Sequence, residues 1–409
     1  MRGRIALAAI LLLCSSGCAL SERYVRDGAL ETAPQHEGGA PHSVILMGDA
    51  GEPAADRLDP VFAALRADLG RAHTQARPRL VVFLGDNVYP NGVPWRGHPD
   101  YSEARRRLEE QIRILEGFPS ASALFISGNH DWRGVADDGT KGPGEEARLV
   151  EELARARNVK AQFEPAIAPG AMAPTRVVGE PRYCGPLAVV PVDTTLWIRE
   201  LTKARWSDSG SESAVAAVSE RIGQELKVAV DRARERPEHP LVIVAGHHTL
   251  ESYGNHGAQF SWKDHLFFLG NGFDEGDYLP LPILGSLYVL IRGSGVMPLQ
   301  DDQFSQPGRR FRASLEQALK LSRPLAYACG HEHALQILRK DGLPWLLVSG
   351  AGYFRTRAPH VEAGPLTVAA SPRSGYLRID AWSTREIELV LMEVSDDGTR
   401  VESRWRMAE

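Results

Sequence analysis

Residues 80–92 read LVVFLGDNVYPNG: an apolar run, a glycine, an aspartate, an asparagine and, three positions past the aspartate, a tyrosine. So short an apolar run, bounded by turn residues, fits a strand buried on both faces. It stops at a glycine, where the chain can turn sharply, and leaves a carboxylate and a phenol at its carboxyl end. The ending recurs. SVILM (43–47) runs into GDAGE with Asp49, and SALFIS (122–127) into GNHDW with Asn129 and His130. LVIVAG (241–246) precedes His247, and LAYACG (325–330) precedes His331 and His333. Helical patterns alternate with these runs, as in SEARRRLEEQIRILEG (102–117), where Leu108, Ile112 and Leu115 share a face. The alternation predicts an α/β fold with sheets covered on both sides. Ligands of such sheets bind beyond the carboxyl ends of the strands, so all these endings point at one crevice.

The chain has 409 residues, 43% hydrophobic and 24% charged, which suits an ordinary globular protein. A net charge of -5 and a pI of about 6.3 exclude the basic excess of a phosphate-backbone binder, so no nucleic-acid partner is expected. The basic GRRFR stretch around Arg309, Arg310 and Arg312 reads as a solvated loop. MRGRIALAAILLLCSSGCAL at the start has the layout of a secretory signal, residues 1–17, and is too short to span a membrane securely. SSGC resembles the cleavage box of bacterial lipoproteins, with Ser15 in the usual leucine position and Cys18 as the lipidated residue. The expectation is an exported protein, a bacterial outer-membrane lipoprotein anchored through Cys18 or a soluble periplasmic one. Outside that leader only Cys184 and Cys329 remain, expected free and buried.

Residues 18–40, rich in Gly, Pro and charge, read as a flexible tether. One domain is expected over 41–409, with a Pro/Gly-broken insertion at about 259–322 packed on it, or contacting a membrane surface or substrate. The final forty residues alternate β-branched and polar positions around a DDG turn, and predict antiparallel strands that extend a sheet.

Alone, each strand ending is a weak signal; their conjunction is not. Two metal ions held close together need an anionic ligand between them, and Asp86 is the candidate bridge. Asp49, Tyr89 and His333 would complete one site, and Asn129, His247 and His331 the other. Carboxylates and a phenolate suit a hard ion, while an amide oxygen and two imidazoles suit a softer divalent one. That division fits Fe(III) paired with Fe, Zn or Mn in the divalent state.

At this point the sequence resembles the purple acid phosphatases, of the small tartrate-resistant type, within the calcineurin-like metallophosphoesterases. GDAG, GDNVYPNGV, GNHDW, VAGHHTLESYGNHG, GHEHALQIL and LVSGAG carry the likeness, from about Ser43 to Gly352. The resemblance implies two packed mixed sheets flanked by helices, in four layers, and the ligand sets just given. It also implies an acid phosphatase that cleaves small phosphomonoesters by in-line attack of metal-activated water. The wider superfamily usually has a histidine two residues after the first aspartate; here Gly51 stands there. His130 is the first candidate to protonate the leaving group, and His256, in YGNHG, matches a second active-site histidine of the family. A phosphodiesterase on the same scaffold and a non-catalytic iron-binding surface protein are the competing readings. The long stretch after His256 exceeds what the small family members have and lies between ligand-bearing motifs, where it could wall the crevice.

Other polar residues get structural readings. His248 is expected to point away from its neighbour's site, Glu332 to be structural, and Asp131 to hold the GNHDW loop. Asp193 ends a strand with no partner evident, and the remaining histidines fall outside the motifs.

Overall fold

The computed structural model describes residues 19–33, 40–73, 77–133, 142–206, 212–257, 303, 305–355 and 359–407. The signal sequence, Cys18 and most of the 259–322 stretch lie outside them. Among the described residues no helix is long and apolar enough to cross a membrane.

Strands β1 (Tyr24–Val25), β2 (His42–Met47) and β3 (Arg79–Leu84) come first, with helix α1 (Pro60–His73) between the last two. Then follow α2 (Tyr101–Arg113), β4 (Ala121–Ile126), α3 (Gly144–Ala156), β5 (Ala161–Phe163), β6 (Arg182–Cys184) and β7 (Leu187–Pro191). Helices α4 (Thr194–Trp206) and α5 (Glu212–Arg234) lead into β8 (Leu241–Ala245), and α6 (Gln306–Ser322) into β9 (Ala326–Cys329). The chain closes with β10 (Leu335–Leu338), β11 (Trp345–Ser349), β12 (Thr367–Ser371), β13 (Gly375–Ala381), β14 (Ile387–Val394) and β15 (Arg400–Arg406).

Two mixed sheets result, one in the order β15-β14-β13-β2-β3-β4-β5 and the other β1-β12-β10-β11-β9-β8-β7-β6. Side-chain parity explains the uninterrupted apolar runs. Val44, Leu46, Val82, Leu84, Leu124 and Ile126 face the second sheet's Val189, Ile243, Ala328 and Leu347. Their alternates, Ile45, Met47, Val81, Phe83 and Phe125, pack on Phe62, Leu65, Leu108 and Val150 of α1, α2 and α3. On the far side, Val190, Val242 and Tyr327 meet Trp197, Ile222 and Leu315 of α4, α5 and α6. The fold is therefore α/β in four layers, helix, sheet, sheet, helix, with both sheets buried on two faces. Within it β2 through β5 are parallel, as are β7, β8, β9 and β11. The last strands are antiparallel and extend the first sheet through β13 and β2, as the sequence pattern predicts.

Two expectations need correction. Residues 19–33, read as tether, are pinned to both sheets: β1 pairs with β12 of one, while Thr32 bridges to Trp405 and Arg23 pairs with Glu393 (3.0 Å) of the other. The GRRFR stretch is helix rather than loop, because Ser305 caps the helix by accepting from Gly308 N (2.8 Å) and Pro307 occupies its first turn. Phe311 is buried, and Arg312 Nε donates to Leu250 O at 2.6 Å. The end of the supposed insertion, Gln306–Ser322, is thus a helix packed on α4 and α5. Cys184 and Cys329 are free and buried.

Candidate metal centre

Carboxyl ends of parallel strands from both sheets meet along one edge. Backbone bonds stitch the sheets there, Gly48 N donating to Ser349 O (2.7 Å) and Gly352 N to Gly48 O (3.0 Å), while Gly330 N donates to His247 O (3.1 Å) between the ends of β9 and β8. Three of the side chains singled out above sit on residues in the left-handed backbone region, Asp49 (φ 56), Asp86 (φ 53) and His331 (φ 67). Such conformations cost energy for a residue with a Cβ and persist where the surroundings fix them. Glycines make the approach possible. Gly85 has φ 90, and a Cβ added at Gly128 would overlap the Asp86 carboxylate.

The seven proposed ligands converge. Around Tyr89 Oη stand Asp49 Oδ1 at 2.9 Å, His333 Nε2 at 3.1 Å and Asp86 Oδ2 at 3.2 Å. On the other side His247 Nε2 lies 2.9 Å from Asn129 Oδ1, 3.3 Å from His331 Nδ1 and 3.4 Å from Asp86 Oδ2. Asp86 Oδ2 belongs to both groups. Each aspartate spends its other oxygen on a backbone N–H: Asp86 Oδ1 accepts from His130 N (3.0 Å), and Asp49 Oδ2 from His331 N (2.7 Å). Asp49, Asp86 and His247 are buried, whereas the His333 and His130 side chains remain 39% and 37% exposed, so the cluster opens on their side.

The donor chemistry fits cations. A coordination shell with bonds of about 2.1 Å sets neighbouring donor atoms roughly 3.0–3.4 Å apart, the spacing found here. His247 Nδ1 faces Leu84 O at 2.8 Å and must donate to it, which turns Nε2 toward two oxygens that are themselves acceptors. Something positive must lie among them. With protons alone to serve, burial works against a charged His247, yet Asp86 overrides it and raises the imidazole to about 10. Burial likewise pushes Asp86 up, but His247 outweighs this and holds its carboxyl well below the usual range. Burial and the Asp49 and Asp86 charges drive the Tyr89 phenol well above its ordinary value, so a phenolate here requires a cation.

The flanking residues sort clearly. His130 Nδ1 lies 2.6 Å from Pro90 O, its ring packs edge-on to Tyr89 with centroids 4.6 Å apart, and Nε2 stands 4.0 Å from Asp86 Oδ2. His256 tilts over the His331 ring at 4.1 Å. Glu332, buried, anchors that segment by accepting from Ser252 Oγ (3.0 Å) and His256 N (3.1 Å). His248 turns to Thr194 Oγ1 at 2.8 Å; burial, with His247 beside it, holds it neutral. Asp131 ties two ligand loops together, accepting from Asn87 N (3.0 Å), Val88 N (3.1 Å) and Gly128 N (2.8 Å).

Sequence reasoning missed two supports. Asp193, from the second sheet, accepts from Ser127 Oγ (2.7 Å) and Trp132 Nε1 (2.9 Å) on either side of the GNHDW loop, and caps α4 through Leu196 N (2.8 Å). Its position before TTLW was a readable capping signal. Glu146 of α3 accepts from Asn87 Nδ2 at 2.9 Å, and nothing local announces it.

No family model matches the chain, and no curated protein matches it. Solved structures of similar fold include the GAP50 anchor of the inner membrane complex of Plasmodium (13% identity, TM-score 0.48, 90% of each chain covered). They also include a purple acid phosphatase from yellow lupin seeds (13% identity, TM-score 0.48, 91% of this chain and 55% of that one). A third is a dimetal phosphatase from Danio rerio (11% identity, TM-score 0.41, 90% of this chain and all of that one). At such identities and TM-scores these likenesses decide nothing about chemistry; the donor geometry has to.

Proposed function

We propose that the chain is a dinuclear-metal phosphohydrolase whose preferred substrates are small phosphomonoesters. One observation carries the reading: two groups of ligand atoms, hard on one side and imidazole-rich on the other, share a single oxygen of Asp86. Asp49, Asp86, Tyr89 and His333 would hold a ferric ion, and Asn129, His247, His331 and Asp86 a divalent iron, zinc or manganese. When bound, the pair supplies an activated water nucleophile and neutralises charge on the phosphoryl oxygens.

The protein's own groups do the rest. His130 stands at the open rim with Nδ1 tied to Pro90 O, which leaves Nε2 toward the cluster, where it can give a proton to the leaving oxygen. His256 flanks the divalent half on a segment fixed by Glu332, and is the second proton donor proposed. Asp131 and Asp193 keep the Asn129 loop in place, so that the donors need no rearrangement when metals bind.

Turnover of p-nitrophenyl phosphate against its bis ester tests the substrate class: a strong preference for the bis ester replaces the monoesterase reading with a diesterase one. Asp86→Ala should abolish both activities; a wild type that binds iron yet cleaves neither ester favours the non-catalytic surface protein. Export and anchoring through lipidated Cys18 are proposed from residues 1–18 alone, and Cys18→Ser should release the protein from membranes.

A further inference from the structure

Arg355 lies on the segment leaving β11, at the margin of the cluster. Its guanidinium is pinned from two sides: Nη1 donates to Gly350 O at 3.2 Å, and Cζ sits 4.3 Å above the Tyr353 ring. Tyr353 is itself tied to Glu52 Oε2 at 3.0 Å, and Arg355 N to Ser374 Oγ at 3.0 Å. Gly350 abuts the Asp49 carboxylate, where an added Cβ would come within 2.8 Å of Oδ2. Arg355 is near enough to Asp49, Tyr89 and His333 to interact electrostatically with all three. Yet Nη2 is buried and, among the described residues, finds no hydrogen-bond acceptor. A buried guanidinium N–H without an acceptor is costly, and such a group beside a reaction centre marks a place kept for a ligand.

We infer that Arg355 Nη2 binds a terminal, non-bridging oxygen of the phosphoryl group and thereby favours monoester dianions over diesters. The inference rests on the phosphohydrolase reading above. A planar, permanently charged fork suits that oxygen, and its pinned stem limits the entropy lost on binding. A monoester presents three terminal oxygens and two negative charges. In a diester one of those oxygens is alkylated and only one charge remains, so the guanidinium gains less from it.

The test compares wild type with Arg355→Met and Arg355→Lys, following metal content, inhibition by inorganic phosphate, and kcat/KM for p-nitrophenyl phosphate and its bis ester. A lost charge-assisted hydrogen bond corresponds to about 10- to 100-fold. Arg355→Met should therefore lose about that much in phosphate affinity and in monoester kcat/KM, with a several-fold smaller loss for the diester and unchanged metal content. Arg355→Lys should recover part of the phosphate affinity. Equal losses for both esters, or unchanged phosphate inhibition in a metal-replete, active Arg355→Met, overturn the inference while leaving the phosphohydrolase intact. A wild type that binds no metal and cleaves neither ester removes the underlying reading instead.

Discussion

Replacing Gly85 by alanine should damage fold and site together. Its φ of 90° lies in a region where an L side chain costs roughly 1–2 kcal/mol. The new methyl would also stand 2.7 Å from Gly128 N, 2.8 Å from Gly128 Cα and 2.7 Å from His247 Nδ1. Optimal separations are about 3.5–4.0 Å between carbons, so the overlap approaches 1 Å, and two of the three atoms are backbone that cannot swing aside. Overpacking of that kind adds about 1–3 kcal/mol, for a total of roughly 2–5 kcal/mol, a large share of a domain's usual margin. Gly70 is the control. It lies inside α1, where an added Cβ meets only Phe118 at 3.7 Å, so Gly70→Ala should stabilise by about 0.5–1 kcal/mol. Urea denaturation of the two variants reads the opposite signs, and metal analysis should show Gly85→Ala losing metal because His247 is displaced. If Gly85→Ala unfolds within about 0.5 kcal/mol of wild type, the reasoning about this strand ending is refuted.

Asp193→Ala strands the buried donors of Ser127 and Leu196 and leaves Trp132 Nε1 with Ser127 Oγ (3.1 Å) alone; a loss of about 2–4 kcal/mol is expected by thermal or chemical denaturation, and a loss under about 1 kcal/mol contradicts the anchoring role. Burial, then the Asp131 charge, raise Glu146 well above its ordinary 4.5, while burial and Asp86 raise Asp131 to about 6. The folded state thus keeps protons that the unfolded chain releases, so what Glu146 contributes is present below pH 4.5 and lost as pH rises toward its folded value. In metal-free protein, Glu146→Gln should accordingly gain on wild type in urea midpoint between about pH 4.5 and 7; a gap that narrows with pH contradicts this. Arg378→Met leaves Asp68 and Asp380 without the guanidinium that bonds them at 2.5 and 2.8 Å in a buried network, and should cost about 3–5 kcal/mol in the same assay. A near-neutral Arg378→Met would show that those carboxyls are neutralised some other way.

Much of the centre was readable because its parts are local punctuation. Asp49, Asp86, Asn129, His247 and His331 each follow a glycine that ends an apolar strand, and α/β topology brings such ends together wherever the strands fall in the chain. What escaped depends on partners distant in sequence. Asp193 meets Ser127 and Trp132 across the two sheets, 66 and 61 positions away, and Arg355 acquires its place only once β11 has delivered Gly350 beside Asp49. Helix α6 was hidden by Ser-Gln-Pro-Gly, which reads as a breaker although serine and proline there are a cap and a first turn. The N-terminal residues looked like tether because polar composition says nothing about an open edge at β12 that will accept them.

The most direct measurement is metal analysis of the purified protein together with its visible spectrum, for wild type and Tyr89→Phe. The account predicts about two metal ions per chain, iron among them, with a ferric–phenolate absorption band that disappears when the phenol is removed. A protein that binds no stoichiometric metal under any loading condition, or a visible band that survives intact in Tyr89→Phe, contradicts it.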